Sequence, residues 1–278
     1  MLELNLETAI KAINKNRPEI VALQIPEGLK QKAAGIAAEI EKKTGSVTIT
    51  FVDPCYGACD LADARAKALG AKMLIHFGHT PFLQKAEIET VYLPLHYKLS
   101  KGKLNPLAET VAKKVGKGNK IVLCTTAQYL HLLSDFSELL GKKGLKVVIG
   151  KGKGVEKGQV LGCNYSSVKT VEENADAVVF LGDGLFHPIG ISFCSDKPVF
   201  TANPFSSEAN ELKKERELFL RKRGVAIARA IDANVFGIML STKRGQARKG
   251  IALALKKKIE SSGRKALVFA SDFVRGEY

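Results

Sequence analysis

A chain of 278 residues with 45% hydrophobic and 26% charged residues can build one large cored domain or two to three small ones. No apolar run approaches the ~20 residues of a membrane helix, MLELNLETAI carries no signal-type hydrophobic stretch, and five scattered cysteines do not make a disulfide framework. A cytoplasmic protein without a membrane partner is therefore expected, and its net charge of +15 biases it toward acidic partners. The lysines are dispersed rather than clustered with aromatics, and Trp is absent. The charge thus reads as solvated helix faces, with no direct nucleic-acid binding expected.

In chain order, three segments share one pattern. EIVALQIPEGLKQKAAGIAAEIEKKTGSVTITFVDP from Glu19, NKIVLCTTAQYLHLLSDFSELLGKKGLKVVIGKGK from Asn119 and NVFGIMLSTKRGQARKGIALALKKKIESSGRKALVFASDF from Asn234 each read as strand, helix, strand. Gly45, Gly144 and Gly263 close the three helices as left-handed caps would. The first two copies continue in parallel when Cys59 is laid over Cys163 without gaps. CDLADARAKALGAKMLIHFG then covers CNYSSVKTVEENADAVVFLG, so that both cysteines precede a helix, an apolar strand and a His-containing turn.

The expected fold class is therefore α/β, built of three repeated small parallel-sheet domains. The expected domains are residues 1–98, carrying Cys59; residues 99–204, carrying Cys163; and residues 205–278, in which a linking helix over 206–230 precedes a third domain. Ligand sites of parallel sheets lie beyond the carboxyl ends of the strands, which is where both cysteines fall. The spacing from Gly45 to Cys59 and from Gly144 to Cys163 places a third equivalent cysteine at about 277–282. The chain reaches Tyr278 without one, so the third domain reads as incomplete.

Other candidates carry duller readings. Cys55 precedes Cys59 by one helical turn, but copy two has Gln159 at that place, so Cys55 is expected to be a non-ligand. Cys124, inside a strand, and Cys194 read as structural. His79 and His187 fall in turns after the third strands and either contact a ligand or bond to backbone. His76, His96 and His131 read as packing residues. GKGKGVEKG lacks the phosphate-loop pattern and reads as a mobile basic loop.

Four stretches carry a family resemblance: IPEGL at 25–29, YGACD at 56–60, GDGLFHPIG at 182–190 and STKRGQ at 241–246. In order and spacing the chain resembles the diphthamide-synthesis enzymes of archaea, noncanonical radical enzymes acting on S-adenosylmethionine. The resemblance implies a triangular arrangement of the three domains around a central [4Fe–4S] cluster, with Cys59 and Cys163 as metal ligands. It implies transfer of a 3-amino-3-carboxypropyl group to a histidine of translation elongation factor 2, in a homodimer served by an electron donor. Co-substrate contacts are then expected from Glu27, from Gly182, Asp183, Gly184 and His187, and from Ser241, Thr242, Lys243, Arg244 and Gln246. The turn at 241–246 offers hydroxyls and two cations at a helix start, which suits the methionine carboxylate. Simple helix capping is the alternative.

Two other readings stay open. One is a quinolinate synthase-like iron–sulfur enzyme of the same three-domain plan. The other is a basic α/β nucleic-acid-binding protein without a cluster, whose binding would be salt-sensitive.

Overall fold

The computed structural model describes residues 2–82 and 85–273. In chain order the elements are β1 (Leu2–Glu3), α1 (Glu7–Asn16), β2 (Ile20–Gln24), α2 (Ala33–Thr44), β3 (Val47–Phe51), α3 (Asp63–Ala68), β4 (Met73–Phe77) and β5 (Glu89–Leu93). There follow β6 (His96–Tyr97), α4 (Lys101–Val115), β7 (Lys120–Thr125), α5 (Leu133–Lys142), β8 (Lys146–Val148), α6 (Ser166–Lys169), β9 (Ala177–Leu181), α7 (Phe186–Cys194) and β10 (Val199–Asn203). The last are β11 (Glu208–Glu211), α8 (Lys213–Ala230), β12 (Val235–Ser241), α9 (Lys249–Ser261) and β13 (Lys265–Ser271).

The chain packs as two compact units. One comprises residues 6–93 and 223–278. It holds a parallel four-stranded sheet in the order β3-β2-β4-β5 and the parallel pair β12-β13. The other comprises residues 1–5 and 94–222 and holds a sheet in the order β11-β10-β9-β7-β8. Counting strands from the start of each segment, the four parallel strands of both larger sheets follow the order second, first, third, fourth.

Burial explains the strand sequences. β4 (MLIHF) and β9 (AVVFL) are interior strands, buried at every residue, because helices cover both faces of a parallel sheet. The edge strand β3 is only partly covered and alternates Thr with Val, Ile and Phe. Gly45 ends α2 in the left-handed region (φ 72°), its N–H reaching back to the Glu41 carbonyl.

One expected element differs. Residues 206–212 do not extend a helix over 206–230: Glu208–Glu211 form β11, antiparallel to β10, and α8 starts at Lys213. β11 (EANE) buries only Ala209, so it shows no apolar alternation for a strand pattern to reveal. The expected place of a third cysteine lies outside the described residues.

Candidate active site

In the unit of residues 6–93 and 223–278, Cys59 lies in a single 3₁₀ turn, Ala58–Asp60, beyond the carboxyl end of β3. The segment after β12 clasps this turn. The Gly245 N–H donates to the Cys59 carbonyl at 3.1 Å, and the Gln246 side-chain amide donates to Cys59 Sγ at 3.4 Å. A Cβ at position 245 would collide with the Cys59 backbone, so only glycine permits this approach. Lys243 Nζ meets the Asp60 carboxylate at 2.5 Å with both side chains about nine-tenths buried, and it also lies 3.9 Å from the Phe273 ring centroid. Arg244 meets the fully buried Asp63 at 2.8 Å. Burial raises the Asp60 carboxyl above its ordinary value against the opposing pull of Lys243.

Beneath the turn, the buried Gln24 at the end of β2 organises the backbone. Its amide nitrogen donates to the Asp60 carbonyl at 2.6 Å, and its oxygen accepts from the Ala62 N–H at 3.0 Å. The same oxygen lies 2.8 Å from His76 Nδ1, and His76 Nε2 lies 3.1 Å from His79 Nδ1. Burial lowers His76 to about 3 and His79 to about 4, and pushes the Cys55 thiol up to about 11.

In the unit of residues 1–5 and 94–222, Cys163 is exposed on the loop between β8 and α6. This loop is built on close approaches: a Cβ at Gly150 or Gly152 would collide with the backbone of Ser167, and one at Gly162 with the Phe186 ring. Beside Cys163 in sequence, Tyr165 has its hydroxyl pushed up to about 12 by burial, with Cys194 and Cys163 adding to the shift. Gly182, Asp183 and Gly184 form the turn after β9, Gly184 in the left-handed region (φ 72°). The Tyr129 hydroxyl donates to Asp183 Oδ1 at 2.5 Å and holds that carboxylate in place.

The expected residues thus fall into two sets. Cys59, Ser241, Lys243, Arg244, Gly245 and Gln246 come together in one unit. There Ser241 Oγ approaches Gln246 Oε1 at 3.3 Å, and the Thr242 hydroxyl donates to Asp272. Glu27, in the same unit, is exposed and ion-paired with Lys30 at 2.6 Å. Cys163, Gly182, Asp183, Gly184 and His187 belong to the other unit.

Three details correct the sequence reading. His187 sits inside α7 rather than in the preceding turn, stacked on Phe180, and burial lowers its pKa. The 241–246 segment is not a helix start, since α9 begins at Lys249, and its two cations are already paired. Cys194 ends α7 and is exposed, not a buried structural thiol. Cys124 is buried in β7 as expected. Sequence reasoning missed Asp60, Asp63 and Gln24. The signal for the first two was a pair of acids three apart after Cys59 and a Lys-Arg pair far along the chain.

Comparisons with known proteins bear on the whole chain. Residues 25–276 match the family model described as putative diphthamide synthesis protein. A 2-(3-amino-3-carboxypropyl)histidine synthase of Pyrococcus horikoshii is 35% identical, over 95% of this chain and 75% of that protein. One of the same name from Methanocaldococcus jannaschii is 32% identical, over 93% and 74%. The crystal structure of Dph2 from Pyrococcus horikoshii with a 4Fe-4S cluster superposes with a TM-score of 0.91 at 33% identity, covering 99% of this chain and 80% of that one. The quinolinate synthase and nucleic-acid readings find no support in these matches. The chain belongs to the diphthamide synthesis family.

Proposed function

We propose that this protein performs the first step of diphthamide biosynthesis, as a transferase. The 3-amino-3-carboxypropyl group passes from S-adenosylmethionine to an imidazole carbon of a histidine of translation elongation factor 2, and methylthioadenosine is released. The observation that carries this reading is the 35% identity to a synthase of that activity over 95% of the chain, joined to the 0.91 superposition on a cluster-bearing relative.

The donor set fits an iron–sulfur cluster. Cys59 is half-buried and Cys163 exposed at the carboxyl ends of parallel strands, and thiolates are the usual cluster ligands. Cys124, by contrast, is fully buried inside β7. Cys59 and Cys163 would hold the cluster, which when bound supplies the electron that cleaves the sulfur–Cγ bond of the methionine part. The protein's own contribution is positioning. Gly245 and Gln246 fix the Cys59 backbone and aim an N–H at its sulfur, and such hydrogen bonds tune cluster potentials.

In the co-substrate site, Gly182 and Gly184 allow close approach of a ligand, and Tyr129 orients Asp183 toward a cationic group such as the methionine ammonium. His187 and Glu27 complete the proposed contacts, with Ser241, Thr242 and Gln246. Lys243 and Arg244 reach the methionine carboxylate only if their pairs with Asp60 and Asp63 open. In the closed geometry they clamp the Cys59 turn instead. A homodimer, an electron donor and a cytoplasmic setting complete the proposal. No helix of the described residues is long and apolar enough to cross a membrane.

The test is anaerobic reconstitution with iron and sulfide, reduction with dithionite, and addition of S-adenosylmethionine and elongation factor 2. Methylthioadenosine together with modified factor supports the assignment. 5′-Deoxyadenosine, or no cleavage by cluster-loaded protein, overturns it. Cys59→Ser is expected to lose the cluster's visible absorbance, and Cys124→Ser to keep it.

A further inference from the structure

Cys55, His76 and His79 were each read from sequence as serving no ligand role or an ambiguous one, yet the fold gathers them. One ligand atom from each lies within 4.8 Å of the others, with Cys55 and His76 buried and His79 half-buried. We propose that these three residues form a mononuclear metal site, separate from the cysteines assigned to the iron–sulfur cluster, that takes a zinc-type divalent cation through one thiolate and two imidazole nitrogens. The proposal does not depend on the function assigned above.

Four observations carry it. First, the spacing suits a small ion. Ligand atoms about 2.0–2.3 Å from a tetrahedral zinc stand about 3.4 Å apart. The His76 Nε2 to His79 Nδ1 distance is 3.1 Å, close to that figure, and no two of the three ligand atoms stand more than 4.8 Å apart.

Second, the tautomer of His76 is set. The Gln24 oxygen is fixed as an acceptor by the Ala62 N–H, and its nitrogen is fixed as a donor by the Asp60 carbonyl. His76 Nδ1 must therefore donate to Gln24 Oε1, which leaves a lone pair on Nε2 facing His79. An outer partner that fixes the tautomer and orientation of a ligating histidine is the usual support of a metal site.

Third, the topology converges. Cys55 follows β3, Gln24 ends β2, and His76 and His79 lie in and after β4, three neighbouring strands whose carboxyl ends meet here. Among the described residues, three ligands gather here, a count that matches the protein ligands of catalytic zinc sites.

Fourth, the trio occurs as a set. The Cys59–Cys163 alignment shifts each position by 104, which puts Gln159, Phe180 and Asp183 at the places of Cys55, His76 and His79. Copy two keeps the cluster cysteine but has none of the three, so they are not part of the common α/β frame. A thiolate with two imidazoles suits zinc.

The test is titration of the metal-free, cluster-free protein with cobalt(II) under anaerobic conditions, followed by visible absorption. One equivalent should bind with a thiolate-to-cobalt charge-transfer band and four-coordinate d–d bands, and zinc should displace it. The Cys59→Ser/Cys163→Ser double variant should give the same spectrum. Cys55→Ser should lose the charge-transfer band, and His79→Ala, at the half-buried position least demanding of the fold, should weaken cobalt at least tenfold. Gln24→Leu should weaken it roughly 10–100-fold, as an outer partner does. Circular dichroism matching the parent chain certifies each variant as folded. Absence of stoichiometric cobalt, a band that survives Cys55→Ser, or a band lost in the Cys59→Ser/Cys163→Ser protein would overturn the site.

Discussion

The turns that carry Cys59 and Cys163 occupy equivalent positions in two sheets of the same strand order, yet they are held by different physics. The Cys59 turn is clasped from another part of its unit by charge on buried carboxylates: Lys243, itself buried, on Asp60, the exposed Arg244 on Asp63, and two hydrogen bonds from Gly245 and Gln246. Among the described residues the Cys163 loop shows no buried pair of this kind; its Lys151–Glu156 pair is exposed. Its shape rests on Gly150, Gly152, Gly158 and Gly162, each lying against neighbours that leave no room for a Cβ. The comparison teaches that a repeat preserves where a ligand sits while the means of holding it drift.

The comparison breaks most sharply at Lys243. Lys243→Met leaves the Asp60 carboxylate buried without its partner, a change that costs about 3–5 kcal/mol. In cluster-free protein it should also speed alkylation of Cys59 while leaving that of Cys163 unchanged, as read by peptide mass spectrometry. Equal acceleration at both thiols would mean that the clasp is not local. Next in size is Tyr129→Phe, which removes the hydrogen bond to Asp183 in the unit that holds Cys163. It should cost about 1.5–3 kcal/mol in denaturant unfolding, the range for a hydrogen bond to a charged group. Gly150→Ala forces a methyl into the Ser167 carbonyl and should cost about 1–3 kcal/mol. Cys59 alkylation should be unmoved by it. A Gly150→Ala protein as stable as the parent would show that the Cys163 loop yields freely.

How much of this was legible in the sequence depends on what each residue does. MLIHF and AVVFL announced interior strands because a parallel sheet covered on both faces needs continuous apolar runs. The α/β class and both cysteine positions followed from such patterns. β11 was not legible, since a polar edge strand with one buried residue carries no periodic signal. Gln24, Asp60 and Asp63 were missed for a different reason. A buried polar residue is justified by its partner, and the partner of Asp60 lies 183 positions away. His76 was correctly placed inside a strand, and His79 lies beside it as a near neighbour in sequence, but Cys55 meets the pair only through the strand order β3-β2-β4. Ionic partners chosen by topology leave no local trace, whereas hydrophobic burial does.

The smallest expected effect concerns an ion pair of the opposite kind. In the unit that holds Cys163, Glu109 on α4 meets Lys143, just past α5, at 2.8 Å and Lys113 at 3.4 Å, with all three side chains more exposed than those of Lys243 and Asp60. The hydrogen bond and charge of Lys143, with those of Lys113, lower the Glu109 carboxyl below its ordinary value of 4.5. A depressed carboxylate stabilises the fold above its unfolded pKa, and that contribution is lost as pH falls through the lowered folded value. Glu109→Gln should therefore lower the melting temperature slightly at neutral pH, and the two proteins should converge as the pH drops below about 4.5. Added salt at neutral pH should close the same gap, because exposed pairs are screened, whereas it should leave the deficit of Lys243→Met largely intact. A Glu109→Gln deficit that persists in acid would place its origin in packing against α5 rather than in charge. The contrast between exposed and buried pairs would then have to rest on Lys243 alone.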